Sequence, residues 1–344
     1  QRTMARRSTA ATIKRHRAKP KRHSRQKQNN PRSAAADFFF AVQYDRISYT
    51  QVVKQMVRKL LRIVSILLVL ALIFMGSMYY ALFVAVNHTE VRYETLRSDK
   101  IPESMNDIQI LFFTDVEYGA FMNENKLQDV IDTINDAQAD VVIFGGDLFD
   151  HPEKNGIDEE TASSLTEMLK QIDAPLGKYA VLGERDQVSE EVRTQVTQIL
   201  DGADFELLTN TAIRIRNGSM SGITLIGADS QVNGSPDLSA AFSNISDQEY
   251  NIMITHCPDL FADEQIPYAS ISLGLAGNSH GAQINIPLIG GYRQFDGSQT
   301  YSLGKYSISG MELQVSSGVG TTEINARLFS PSEVVVYRLV HTES

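Results

Sequence analysis

A chain of 344 residues, 42% of them hydrophobic, is long enough for one large domain or two ordinary ones and is neither fibrous nor wholly disordered. Its single cysteine, Cys257, excludes a disulfide framework and any cysteine-built zinc module. The net charge of −9 averages two opposed regions: residues 1–63 carry 17 Lys and Arg against only Asp37 and Asp45, a net of +15, and the remainder carries −24.

Residues 1–36 are basic and poor in apolar side chains, so they cannot offset their ordering entropy and read as a disordered tail. No aromatic residues interleave with the charges to stack on bases, and no nucleic-acid partner is expected. Residues 37–62 form a mixed juxtamembrane segment, in which SYTQVVKQMVRKLLRI suits a helix leading into a membrane. Residues 63–86, IVSILLVLALIFMGSMYYALFVAV, hold no charge over 24 positions, enough to cross a hydrocarbon core of ~30 Å as a helix. The run is too long for a signal peptide and no small-residue cleavage site follows it. Arg58, Lys59 and Arg62 at its near edge predict a single-pass plasma-membrane protein, with its N-terminus cytoplasmic and its C-terminal part outside. Residues 87–106 read as a polar connector.

Residues 107–344 form the globular part. Apolar, β-rich runs (IQILFFT, DVVIFGG, KYAVLG, ITLIGAD, YNIMITH, SISLGLAG, EVVVYRLV) recur, and helical patterns such as ENKLQDVIDTINDA and SEEVRTQVTQIL separate the early ones. That alternation predicts an α/β domain with a sheet covered on both faces, and the closer spacing of the later runs predicts a second, mixed sheet. No G-x-G-x-x-G or G-K-[ST] follows Gly145-Gly146, so a nucleotide-cradling loop is excluded there.

The chemistry gathers at strand ends. Asp115 and Glu117 close the first run in FFTDVEYG, and Asp147 and Asp150 the second in FGGDLFD. Glu184, Arg185 and Asp186 close the third in VLGERD, His256 a later one in MITHCPD, and Asn278 and His280 lie in LAGNSHGAQ. Each cluster alone suits a turn or a helix cap. Together, beyond the carboxyl ends of strands, they suit one or two divalent cations that accept mixed oxygen and nitrogen ligands.

This order of motifs resembles the calcineurin-like metallophosphoesterase superfamily, whose signature runs D-x-H, G-D-x-x-D, G-N-H-[DE], H-x-P and G-H-x-H, and within it the membrane-associated bacterial branch of phosphohydrolases. The resemblance covers residues 107–341 and implies two packed mixed β-sheets flanked by helices. Carried over residue by residue, it implies one metal held by Asp115, Glu117, Asp147 and His280, and a second held by Asp147 as the bridge with Glu184, His256 and Asn278. Asp150 would support the site, and Arg185 and Asp186 would act on the substrate.

Four positions depart from the pattern: Glu117 and Arg185 stand where the family has histidine, Glu184 where it has asparagine, and Asn278 where it has the first histidine of G-H-x-H. Glu117, Glu184 and Asn278 still offer oxygen, a harder ligand set that favours Mn²⁺ or Mg²⁺. Arg185 can grip a phosphate but has no proton to donate. The expected function is a membrane-anchored, metal-dependent phosphoesterase acting on a phosphomonoester or phosphodiester, with a small-molecule or lipid-linked phosphate as substrate. The alternative is a catalytically impaired relative that binds phosphate ligands or proteins at the envelope.

Overall fold

Strand and helix periodicities in the sequence carry directly into a two-layer arrangement. The computed structural model describes residues 31–343. The basic tail expected over 1–36 lies outside the described residues up to position 30. From Pro31 onward the chain is helical, in a single helix α1 (Pro31–Tyr79) of 49 residues, on the order of 70 Å at the helical rise. The expected helical juxtamembrane segment and most of the apolar run are therefore one element. α1 gives way to a π turn over Tyr80–Val84 and a 3₁₀ turn over Ala85–Asn87. This is the one helix among the described residues long and apolar enough to cross a membrane. By its contacts the chain divides into a unit ending at Leu70, whose described part is the first part of α1, and a unit beginning at Ala71 that includes the end of α1.

Residues 87–106 are not a mere connector. They contain β1 (Thr89–Ser98), which pairs in parallel with β14 (Ser332–His341) from Thr89↔Ser332 to Ser98↔His341. In TEVRYETLR the more buried face carries Arg92 and Glu94 beside Leu96 while Tyr93 is exposed, so no apolar alternation marks the strand. Arg92, for example, spends its guanidinium on Glu333 at 2.9 Å and Glu94 at 2.8 Å.

The first sheet continues from β14 through β2 (Gln109–Phe113), β3 (Val141–Phe144), β4 (Lys178–Ala180) and β5 (Phe205–Leu207), antiparallel at β14–β2 and parallel thereafter. Its helices are α2 (Glu124–Asp136), the short α3 (Pro152–Asn155), α4 (Glu159–Lys170) and α5 (Glu190–Gly202). Asn123, Asp158 and Ser189 cap α2, α4 and α5 by accepting from backbone N–H groups three residues on.

The second sheet holds β6 (Thr211–Arg216), β7 (Gly222–Gly227), β8 (Tyr250–Ile254), β9 (Leu273–Ala276), β12 (Gly304–Ile308) and β13 (Met311–Val315) in the order β12-β13-β9-β8-β7-β6. A two-stranded hairpin, β10 (Asn285–Ile286) and β11 (Gly290–Gly291), stands apart. Period two sorts the central strands: Ile110, Phe112, Val141 and Ile143 pack with Ile223, Leu225, Ile252 and Leu275 between the sheets. Leu111, Phe113, Val142 and Phe144 face the opposite way, against α2, α4 and α5. The domain thus consists of two mixed β-sheets flanked by helices, and the carboxyl ends of β2, β3, β4, β8 and β9 all lead into polar loops.

Candidate metal centre

Those loops bring the strand-end residues together. Backbone hydrogen bonds lace them: Asp115 N donates to Gly146 O (2.9 Å), Glu117 N to Asp147 O (3.2 Å) and Gly277 N to His256 O (3.1 Å). The loops pass so close that a Cβ on Gly183 would sit 2.0 Å from Asp147 Oδ1, and one on Gly146, whose φ is +98°, 2.4 Å from Gly183 N. Glycine is required at both places. Asp115, Glu117, Asp147, Asn278 and His280 themselves hold positive φ between 48° and 66°. Non-glycine residues rarely adopt that region, and clustered strain of this kind marks functional sites.

Two groups of ligand atoms converge there, Asp115–Asp147–His256 and Asp115–Glu117–His280, each within 4.8 Å, and all five residues are buried. The carboxylate common to both groups is Asp115. Asp147, the bridge that the resemblance implies, accepts from the Arg185 backbone N–H through Oδ1 at 2.9 Å, and Arg185 Nε lies 3.6 Å from its Oδ2. Glu184 joins neither group, although its Oε2 is buried without a hydrogen-bond partner. Asn278 binds Asp115 through its backbone N–H, at 3.1 and 3.2 Å from the two oxygens, and spends its side-chain amide on Cys257 Sγ and Asp296 O. Its Oδ1 remains buried and unpartnered.

The donor set fits divalent metal. His256 Nε2, Glu117 Oε1 and Asn278 Oδ1 are buried polar atoms with no hydrogen-bond partner, a costly state that a cation relieves. His256 Nδ1 lies 2.8 Å from Gly145 O, so the proton sits there and leaves Nε2 free to ligate, 3.2 Å from Asp147 Oδ2. His280 Nε2 lies 3.2 Å from Glu117 Oε1 and 3.6 Å from Asp115 Oδ1, with its ring packed on Phe295 at 5.0 Å between centroids.

The titration of these groups follows from burial among like charges. Burial pushes Asp115 up to about 6 against the pull of His256, and burial with the Asp147 charge pushes Glu184 up to about 8. Glu117 is raised well above its ordinary value by burial, despite Arg185. Burial would also raise Asp147, but His256 and Arg185 outweigh it and hold that carboxyl low. Burial depresses His280, helped by Arg327 and Arg185, whereas Asp147 and Asp115 overcome burial at His256 and raise it.

Arg185 does more than border the site. Its Nη1 lies 3.0 Å from Glu117 Oε2 and 2.5 Å from Asp150 Oδ1. Asp150 also accepts from Thr322 Oγ1 at 2.8 Å and so anchors Arg185. Asp186, expected to act on substrate, instead accepts from the N–H groups of Asp147, Leu148 and Gly183 at 2.8, 2.9 and 2.8 Å. With both oxygens so engaged, it holds the β3 and β4 loops together. A cavity of about 390 Å³, lined among others by Glu184, Arg185, Asn233, Arg293 and Phe295, opens above the buried carboxylates.

Sequence reasoning missed Arg327. Fully buried, it donates to the carbonyls of Ser317, Gly318, Gly320, Ser330 and Pro331 and so shapes the loop against Asp115. A lone arginine in a polar stretch gives no pattern by which to find it.

Comparison with known proteins agrees with the motif order. The chain is 26% identical over 267 residues to the uncharacterized metallophosphoesterase YkuE of Bacillus subtilis, spanning 78% of this chain and 91% of that one. It is 25% identical over 277 residues to a Danio rerio transmembrane protein with metallophosphoesterase domain, spanning 77% of this chain and 61% of that one. Among solved structures, a dimetal phosphatase from Danio rerio aligns with 62% of this chain and 88% of its own, at 12% identity and a TM-score of 0.40. No protein-family model matches the chain.

Proposed function

We propose that this chain, a member of the calcineurin-like metallophosphoesterase superfamily, is a membrane-anchored, metal-dependent phosphoesterase that hydrolyses a phosphomonoester or phosphodiester. The observation that carries the reading is the pair of ligand groups sharing Asp115, with His256 Nε2 and Glu117 Oε1 buried and unpartnered. Asp115, Glu117, Asp147, His256 and His280 would hold the metal, and Glu184 and Asn278 would offer further oxygens from the rim. A divalent ion held there supplies Lewis acidity toward a phosphoryl oxygen. The preponderance of oxygen ligands favours Mn²⁺ or Mg²⁺, and two ions correspond to the two groups.

The chain's own groups divide the remaining work. Arg185, with Glu117, Asp147 and Asp150 on one side and the cavity on the other, is placed to pair with a phosphate. It cannot serve as a general acid, so the leaving group must take its proton from water or another residue. Asp186 and Asp150 act as positioning residues.

Anchoring by α1 raises the local concentration of membrane-borne substrates and favours a lipid-linked phosphate. Arg58, Lys59 and Arg62 favour a plasma-membrane protein with residues 1–62 cytoplasmic and the globular domain outside.

One observation favours a second reading. Arg185 already neutralises Glu117 and Asp150, so the site is partly satisfied without metal and could serve phosphate or protein binding alone. The test is hydrolysis of p-nitrophenyl phosphate and its bis-ester by the detergent-solubilised full chain across Mn²⁺, Mg²⁺, Zn²⁺, Fe²⁺ and Co²⁺. Turnover that Asp147→Ala abolishes supports the enzyme. A folded chain inactive with every ion leaves the binding reading.

A further inference from the structure

The hairpin β10–β11 exposes what a soluble protein hides. Its tip reads Ile286-Pro287-Leu288-Ile289, closed by Ile289 N donating to Ile286 O at 3.0 Å. Pro287 occupies the second position of this turn and Leu288 the third, at φ +70°, where glycine or asparagine normally stands. A bulky side chain thus takes a strained backbone conformation and gains no contact for it: Leu288 is fully exposed and Ile289 81% exposed. Tyr292 and Phe329 are more than half exposed as well, so the group forms an apolar patch rather than a stray residue.

The location of the patch identifies what covers it. The hairpin stem is tied to the 327–331 segment: Asn285 N donates to Leu328 O and Leu328 N to Gln283 O, both at 2.9 Å. That segment and the end of the apolar helix enclose an apolar cavity of about 600 Å³, in which Phe329 and Pro331 face Ile73, Gly76, Ser77 and Tyr80. Arg327 N also donates to Ala81 O at 3.0 Å. Tyr79 and Tyr80 end the helix with the aromatic pair typical of a membrane–water interface, and Tyr80 lines this cavity together with Phe329. Just past β11, Arg293 lines the cavity over the metal centre.

We propose that the β10–β11 hairpin and Phe329 seat in the interfacial layer of the bilayer that the apolar helix crosses, bringing the Arg293-lined mouth of the metal centre to the lipid headgroups. The inference rests on the anchored reading above and adds a second membrane contact, of the kind that buries apolar side chains ~5–10 Å into the headgroup boundary.

The full chain reconstituted in phosphatidylcholine vesicles tests it. Cys257 is buried and leaves wild type as an unlabelled blank, so Leu288→Cys, Ile289→Cys and, as an exposed reference in the β6–β7 turn, Met220→Cys each take one environment-sensitive fluorophore. The expected result is blue-shifted emission and loss of intensity to doxyl-labelled lipid at 288 and 289 but not at 220. Carbonate extraction of the chain from the vesicles would show that the anchored reading itself fails. An anchored chain whose 288 and 289 labels behave like the label at 220 overturns the second contact alone. So does disulfide cross-linking of the unlabelled Leu288→Cys chain to a second copy, which would make the patch a protein interface.

Discussion

Arg185 Nη1 and Glu117 Oε2 meet at 3.0 Å in the floor of the site. Both residues stand where the signature that the sequence resembles has histidine, and here they meet as an ion pair, with Arg185 tied down further by Asp150. The cation cancels part of the repulsion among Glu117, Asp147 and Asp150, which otherwise falls entirely to metal.

Removing one member of that pair should therefore cost far more than replacing both. Arg185→Ala leaves buried carboxylates uncompensated, and in the metal-free protein it should destabilise by about 3–5 kcal/mol. Glu117→His with Arg185→His, restoring the family pair, should recover most of that loss. Chemical denaturation of Glu117→His, Arg185→His and the double mutant measures the coupling. Additive effects would mean that the 3.0 Å contact carries no energy.

Turnover offers a second view of position 185. If Arg185 and Glu184 tune the site down, Glu184→Asn with Arg185→His should raise the rate by about 10²–10⁴-fold, the usual worth of general acid–base participation. Each single change should give much less, because neighbours in one site act together. Equal or lower turnover with metal retained would mean that phosphate pairing by Arg185 outweighs any gain from a histidine there.

Acidity should stabilise the metal-free protein, contrary to the common trend. Burial raises Asp115 and Asp186 to about 6, and Glu184 to about 8. A folded value above the unfolded one contributes stability that is whole below the ordinary carboxylate range and lost as pH rises through the folded value. Asp147, held low, has the opposite sign, but its effect falls below that window; depressed His280 opposes the trend inside it, and raised Glu117 and His256 act with the carboxyls and outnumber it. Thermal midpoints of the metal-free chain should thus decline from about pH 4 to about pH 8. Mn²⁺ should reverse the decline and release protons on binding, measurable by calorimetry in buffers of different ionisation heat. A metal-free midpoint that climbs over the same interval contradicts the assignment.

Topology has its own check. With residues 1–62 inside, protease added to intact spheroplasts should remove the globular domain and spare an N-terminal tag. Protection of the domain would invert the orientation and put the substrate in the cytoplasm.

Much of this architecture was legible because period two and strand-end polarity are local signals. Ile110 and Phe112 alternate with Leu111 and Phe113, and the polar residue after each such run became a site residue: Asp115, Asp147, His256. The balance of charge inside the site was not legible, because it depends on which side chains meet across loops. Nothing in VLGERD says that Arg185 turns toward Glu117 and Asp150, or that Asp186 turns away to three backbone amides. For the same reason the sharing of Asp115 between the two ligand groups could not be read from the sequence. β1 reads as a connector because Arg92 finds Glu333 only once β14 lies alongside, and Glu94 finds Lys305 only across to β12.

The central proposal is that the two ligand groups sharing Asp115 hold divalent metal. Metal content of the full chain, measured by elemental analysis after Mn²⁺ loading and dialysis, tests it most directly. Wild type should retain metal and Asp115→Asn should retain none, with circular dichroism showing both folded. Glu117→Gln touches only one of the two ligand groups and should lose only part. Asp115→Asn retaining as much Mn²⁺ as wild type, or a folded wild type retaining none, would contradict the account.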